Sequence, residues 1–174
     1  VLDDQGVASI GAIAINARSP DIVWVGSGEG NPRNSASVGR GIYKTLDGGR
    51  TWNKLGLEKT ERIHRIVLHP EDAQTAWVSA FGTSWGENAE RGVFKTTDGG
   101  ATWQKILFVD ERTGCSDLII DPRNPDKLFA SMWPHRRWPW SFKSGGPGSG
   151  LYRTLDGGTN WQRLDDSDGL PTGE

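Results

Sequence analysis

One eight-residue string dominates the chain. It occurs as Thr45-Leu46-Asp47-Gly48-Gly49-Arg50-Thr51-Trp52, then as Thr96-Thr97-Asp98-Gly99-Gly100-Ala101-Thr102-Trp103, and again as Thr154-Leu155-Asp156-Gly157-Gly158-Thr159-Asn160-Trp161. The aspartates of the copies are 51 and 58 residues apart. Three near-copies in 174 residues require a fold built by repetition.

The flanks of the string repeat too. A short run with β-character precedes each copy (residues 41–44, 92–95 and 150–153), and another follows it (53–55, 104–107 and 162–164). Two such runs around a Gly-containing turn predict a β-hairpin. Further upstream come apolar runs rich in β-branched residues, 10–15, 63–68 and 115–120. Each enters a polar turn and then a further run, 22–25, 75–78 and 127–130. Every repeat therefore has four strands, a to d, and the frequent Gly and Pro leave little room for helix. Four short antiparallel strands at this period predict an all-β chain of β-propeller blades, about 7–57, 61–108 and 113–165. Propellers have about four to eight blades. Three form a partial ring, so we expect the remaining blades of a longer chain, or a second copy, to complete it.

Within the string, each residue type has a mechanical reading. Asp47, Asp98 and Asp156 head a tight turn, where a carboxylate accepts backbone N–H groups. Gly49, Gly100 and Gly158 supply positive φ. Thr51 and Thr102 add a hydroxyl, and Asn160 stands at that place in the third copy. Trp52, Trp103 and Trp161 cover the hairpin with an apolar face. A residue recurring in every blade is structural rather than part of a single active site. The alternating oxygen ligands of a calcium loop are missing too.

Function belongs on the opposite rim. The c–d turns hold the repeated string, so the long b–c loops (26–40, 82–91 and 133–149) and the d–a connections lie at the other end. Long loops on a rigid scaffold are where binding residues concentrate. Of the nine Trp, four (Trp85, Trp133, Trp138 and Trp140) fall in these loops. Glu29, Asn31, Arg33, Trp85, Glu87, Arg91, Arg136, Arg137, Trp138 and Trp140 are the candidate ligand-binding residues. Exposed Trp beside Arg suits a protein, a peptide or a sugar ring; the alternative is that these Trp roof the propeller. Along strand a, Gly11, His64 and Ser116 are equivalent, as are Ala12, Arg65 and Asp117. His64, Arg65, Ser116 and Asp117 are therefore candidates for the channel mouth, with an Arg65–Asp117 ion pair between blades as the structural alternative.

Several classes are excluded or unsupported. Twenty Lys and Arg against 22 Asp and Glu give no basic excess for nucleic acid. No apolar run approaches the ~20 residues of a membrane span. The glycine run 26–30 opens no helix and so is no dinucleotide fingerprint. His64, His69 and His135 have no metal-ligand spacing, and no cofactor or metal is expected. The single Cys115 belongs to an inner strand.

The repeated string resembles the Asp-box of BNR-repeat proteins. More narrowly, residues 28–35, 91–100 and 144–150 resemble bacterial members of the sortilin-like (VPS10-type) group, often labelled glycosyl hydrolases. That resemblance implies a longer, exported protein and protein or peptide binding. Sialidases, which share the box, use a Tyr nucleophile; here Tyr43 and Tyr152 occupy the same packing position as Phe94, so no catalytic residue is assignable. Three readings follow: a non-catalytic propeller binding a protein, peptide or polysaccharide; a fragment of a sialidase- or xyloglucanase-like glycoside hydrolase; or a structural, self-assembling unit.

Overall fold

A computed structural model describes residues 2–171. Its strands form three antiparallel sheets, one per repeat. The first is β1 (Ile10–Ile15), β2 (Val23–Ser27), β3 (Ile42–Thr45) and β4 (Asn53–Lys54), paired in chain order. The second is β5 (Ile63–Leu68), β6 (Ala76–Ala80), β7 (Gly92–Thr96) and β8 (Gln104–Leu107), again in chain order. These are meandering propeller blades.

The third blade departs from the four-strand expectation. Its strands are β9 (Thr113–Asp121), β10 (Asn124–Trp138), β11 (Ser141–Ser144), β12 (Gly150–Thr154) and β13 (Gln162–Arg163). Residues 133–138, expected in a loop, continue strand β10. The physical reason is that β9 starts at Thr113 and pairs with β10 as far as Pro134. From His135 onward β11 takes over as partner, with His135 opposite Ser144 and Trp138 opposite Ser141. Each new neighbour meets the backbone groups that β10 would otherwise leave bare.

The Asp-box turns close each blade by the same bonds. Asp47 Oδ1 accepts from Thr45 Oγ1 (2.7 Å) and from the amides of Arg50 and Thr51 (2.9 Å each), and Oδ2 accepts from Thr51 Oγ1 (2.6 Å). Asp98 repeats this with Thr96 Oγ1 and with the amide and hydroxyl of Thr102. Asp156 uses the amide and side-chain Nδ2 of Asn160, at 2.8 and 2.7 Å, so Asn replaces Thr without loss of the bond. Both glycines of each turn have positive φ, for example 74° and 98° at Gly99 and Gly100. A side chain at either would be strained.

Two hydrophobic clusters fill the gaps between blades. One gathers Trp24, Ile42, Ile63, Ile66, Val78 and Phe94 between the first two blades. The other gathers Trp77, Val93, Leu118, Leu128, Ala130 and Met132 between the second and third. Trp24 and Trp77 are each 1% exposed. Burying about 200 Å² of either ring is worth about 5 kcal/mol before ordering entropy is subtracted. Trp103 does more than cover its own hairpin: its Nε1 donates to Leu55 O at 2.7 Å, and its ring meets Trp24 edge-on at 6.2 Å. It therefore ties blade two to blade one.

The carboxylate bonds set a pH prediction. Hydrogen bonds from the turn, led by the Thr102 hydroxyl, lower the Asp98 pKa to about 2. Those from the Asn160 amide and side chain lower Asp156 to about 2. A depressed acid stabilises the fold above its unfolded pKa, about 3.9, and the contribution is lost as pH falls through the folded value. Circular-dichroism melts should therefore show a loss of melting temperature as pH falls from 4 to 2. Asp98→Ala should melt several degrees lower at neutral pH and lose part of that acid slope. Identical melts for variant and parent would contradict this role.

Candidate functional site

In the segment between β6 and β7, the carbonyls of residues 81–84 and 86 are held by arginines. Arg91 Nη1 donates to Phe81 O at 3.0 Å, and Arg91 Nη2 donates to Thr83 O and, at 3.1 Å, to Gly86 O. Arg62 Nη1 donates to Gly82 O at 3.2 Å, and the amide of Arg137 donates to Ser84 O at 2.8 Å. A loop with no sheet partner must find donors for its carbonyls elsewhere. Both guanidinium groups are fully buried, and burial lowers the Arg91 pKa to about 10. Arg91, expected to face a ligand, is therefore an internal brace: its head group is committed to three carbonyls beneath the surface.

A ring stack sits on that brace. His64 and Phe81 lie 4.0 Å apart and Phe81 and His135 3.8 Å apart, nearly parallel, with Trp133 tilted against the latter two at 5.4 Å. Arg91 Nη1 lies 3.3 Å from His135 Nδ1, and His135 Nε2 lies 3.5 Å from Ser84 Oγ. A guanidinium only donates, so Nδ1 is the acceptor and the proton sits on Nε2. Burial, reinforced by the Arg91 cation, lowers the His135 pKa to about 3. Burial lowers that of His64 to about 4. His64, expected at the channel mouth, is half-buried with its ring stacked on Phe81. Arg65 and Asp117 form an ion pair at 2.8 Å across blades two and three, and Ser116 Oγ donates to Ser131 O.

Above the stack opens a cleft of about 580 Å³, lined by Gly86, Glu87, Arg112, His135, Arg136, Trp138 and Lys143. A smaller recess of about 190 Å³ shares Arg112, Arg136 and Lys143 and runs on to Asp110 and the glycines at 145–148. The wall is the β10–β11 hairpin, where Arg136 and Lys143 are cross-strand partners. Arg136 lies over the Trp138 ring at 5.4 Å. Opposite, Arg112 of the β8–β9 connection binds Glu87 through Nε (2.8 Å) and Nη2 (2.7 Å). The lining carries three cations against one acid, and that acid is already paired.

Of the expected binding residues, Glu87, Arg136 and Trp138 meet at this cleft. Trp140 stands at the hairpin tip, 82% exposed, and Trp85 is partly exposed beside the segment. Arg137 points the other way: its Nη1 donates to Asn34 Oδ1 at 3.0 Å and its guanidinium stacks on Phe142. It anchors the hairpin to the first blade's loop. In that loop Glu29 and Arg33 bind each other at two points, and Asn31 O accepts from the Arg33 amide. None of Glu29, Asn31 and Arg33 lines the cleft. Arg112 and Lys143 were missed. Arg112 lies in a charged d–a connection on the loop rim, and that placement was the available signal. Among the described residues no group of three His, Cys, Asp or Glu is placed to hold a metal.

The family model described as "Sortilin, neurotensin receptor 3" matches residues 40–169. The chain belongs to the Sortilin-Vps10 family. Relatives in this setting include a xyloglucanase from Paenibacillus sp, 26% identical over 144 residues, covering 78% of this chain and 13% of the enzyme. Another is the photosystem II assembly lipoprotein Ycf48 of Trichormus variabilis, 27% identical over 171 residues, covering 87% of this chain and 47% of the lipoprotein. The chain thus spans about an eighth and about half of these relatives' lengths. Among solved structures, the GH74 xyloglucanase from Xanthomonas campestris superposes with a TM-score of 0.61 at 22% identity, covering 90% of this chain and 21% of the enzyme. YCF48 from Cyanidioschyzon merolae superposes with a TM-score of 0.54 at 20% identity, covering 90% of this chain and 37% of that one. Both support a partial β-propeller.

Buried His135 and half-buried His64 predict acid sensitivity above the carboxylate range. Unfolded His titrates near 6.5, so between about pH 6.5 and 4 the unfolded chain binds more protons and stability rises with pH. Urea unfolding across pH 7 to 4 should show stability falling as pH is lowered. His135→Phe should flatten that slope, and an unchanged slope in the variant would remove His135 from the account. Arg91→Met leaves three carbonyls without a donor and should cost about 3–5 kcal/mol in the same assay.

Proposed function

We propose that the chain is the ligand-binding part of a non-catalytic propeller, and that it takes a protein or peptide segment bearing carboxylates in the rim cleft. The observation that carries this reading is the cleft's charge: Arg112, Arg136 and Lys143 surround one acid, Glu87, that is already bound to Arg112. A carboxylate ligand would satisfy those donors by charge-assisted hydrogen bonds. Trp138 and the exposed Trp140 supply the large apolar contact common at interaction hot spots. A neutral glycan would leave the cationic excess without a partner. The family fits this reading, and one relative is named for an assembly role rather than a reaction. We further propose an extracytoplasmic site of action, in keeping with a relative that is a lipoprotein. No helix among the described residues is long and apolar enough to cross a membrane.

A second reading, glycoside hydrolysis, draws on the xyloglucanase relatives. It needs two carboxyl groups facing one groove, about 5–10 Å apart. The larger cleft offers Glu87, whose carboxylate faces Arg112.

Tryptophan fluorescence titration separates the two. An acidic peptide should bind with an affinity that falls as salt rises, because rim charges are screened. Arg136→Glu, Lys143→Glu and Trp138→Ala should each weaken binding on the order of tenfold or more, since one lost contact of about 1.4 kcal/mol is tenfold. Binding of neutral xyloglucan oligosaccharides with no response to an acidic peptide, or release of reducing ends from xyloglucan, would favour the second reading.

A further inference from the structure

The Arg112–Glu87 pair takes up the edge of Arg112 that a ligand would use. Arg112 Nε and Nη2 lie 2.8 and 2.7 Å from the same oxygen, Glu87 Oε1. That Nε/Nη2 edge is the fork on which a carboxylate docks with two bonds. Both side chains stand on the wall of the cleft, 74% and 52% exposed. A pair so exposed to water adds little to stability.

The pair is not needed to join its two segments. The Asn88 amide donates to Glu111 O at 2.9 Å, which already ties the β6–β7 segment to the β8–β9 connection. Asn88 Nδ2 donates to Lys59 O at 3.0 Å, and Gly86 O accepts from Arg91 at 3.1 Å. The residues on both sides of Glu87 are thus pinned, and its carboxylate reaches Arg112 on a short tether. Arg112 is fixed in turn. Its amide donates to Asp110 Oδ1 at 2.7 Å, and its carbonyl accepts from the His135 amide at 3.3 Å. Arg136 stands close to the same place: a Cβ built on Gly86 would lie 3.3 Å from Arg136 Nη1. Neither Arg136 nor Lys143 forms an ion pair among the described residues.

We propose that Glu87 is a tethered competitor for Arg112. It occupies the guanidinium in the free chain and gives way when a peptide with two neighbouring carboxylates enters the cleft. One ligand carboxylate engages Arg136 and Lys143, and the other takes the Nε/Nη2 edge of Arg112. This inference rests on the reading of the cleft as a site for acidic peptides. The charge of the lining fits two acids, because three cations against one acid leave two positive charges to be met. A tethered carboxylate acts at high effective concentration. A lone ligand acid therefore gains little by replacing it, and a second acid supplies the difference. Glu87 thus sets a threshold of ligand charge for the cleft.

Fluorescence titration of the 174-residue chain tests it. The probes are two acetylated, amidated peptides without aromatic residues, one carrying a single Glu and one carrying Glu-Glu. The Glu-Glu peptide should bind the parent chain more tightly than the single-Glu peptide. Glu87→Gln keeps the shape and removes the charge. It should tighten the Glu-Glu peptide about three- to tenfold, the scale of an exposed ion pair and a like-charge contact together. Adding Arg112→Gln should abolish that gain. Glu90→Gln removes a charge from the same segment outside the cleft, where the carboxylate lies 3.9 Å from Lys105 Nζ. It should change affinity less than about twofold, as a screened rim charge does. Glu87 and Arg112 are both exposed, and circular dichroism checks that each variant folds. A merely structural pair predicts the opposite sign, since its loss would loosen the cleft and weaken binding. Unchanged or weaker binding by Glu87→Gln, while Arg136→Glu still weakens it, overturns this inference and leaves the cleft reading standing. So does a gain that survives Arg112→Gln or is matched by Glu90→Gln. Failure of every form to bind either peptide overturns the cleft reading and this inference with it.

Discussion

The structure depends on a carboxylate that organises the turn it heads. Asp47, Asp98 and Asp156 each gather hydroxyl or amide donors from a box of eight residues. That satisfaction holds two successive glycines at positive φ. In the second and third blades the first glycine then shows its carbonyl to the blade before it, while its amide is spent on its own blade's a–b turn, as Gly99 N is on Gln74 O at 2.9 Å. A local motif therefore acts at long range. The Gly99 and Gly157 carbonyls each receive a lysine from the preceding blade, Lys44 at 3.1 Å and Lys95 at 3.0 Å; each lysine lies over a buried Trp, Trp24 or Trp77, the largest side chains of the inter-blade core. Loss of the carboxylate would loosen the turn first and the joint second.

Repetition also explains where specificity must lie. Whatever is common to the three blades serves stacking, so a unique surface has to come from positions where the copies differ. The β6–β7 segment and the β10–β11 hairpin are such positions, and they meet. The first has no strand partner and is held by Arg91, Arg62 and the Arg137 amide. The second crosses toward the first blade, where Arg137 and Pro139 O bond to Asn34. The hairpin is thus fixed at both ends, which positions Arg136, Trp138 and Lys143 with little freedom left to lose on binding.

The blade pattern was legible because it rests on local rules: β-branched runs, Gly turns, and an Asp with Thr or Asn four residues on. The Arg65–Asp117 pair was legible because aligned repeats put equivalent positions on facing strands. The cleft was only half legible. Trp138, Arg136 and Glu87 stood out as aromatic and charged loop residues, but Arg112 and Lys143 are ordinary surface cations until folding brings two separate segments together. Arg91 misled because sequence does not show that a neighbouring chain segment will wrap its carbonyls around a guanidinium. The extension of β10 through Pro134 and His135 was hidden by two prolines and two arginines that argue for a loop. What overrode them was β9 on one side and β11 on the other, a pairing no local propensity encodes.

The same burial that makes the rim rigid makes it sensitive to charge. Arg62 and Arg91 enter the interior to serve carbonyls that no strand serves; Arg62 Nη1 also lies 3.6 Å from the Glu61 carboxylate, whereas Arg91 forms no ion pair among the described residues. With two cations already inside, the rings beside them must stay neutral, and the stack of His64, Phe81 and His135 is compatible only with that state. His135 then has one lone pair left, and it accepts from Arg91. A proton on His135 would remove that acceptor and add a third positive charge under Arg136 and Lys143, directly beneath the floor of the cleft. The rim's cleft and its most charge-sensitive point are therefore the same group of residues, joined by the need to satisfy the carbonyls of one unpaired segment.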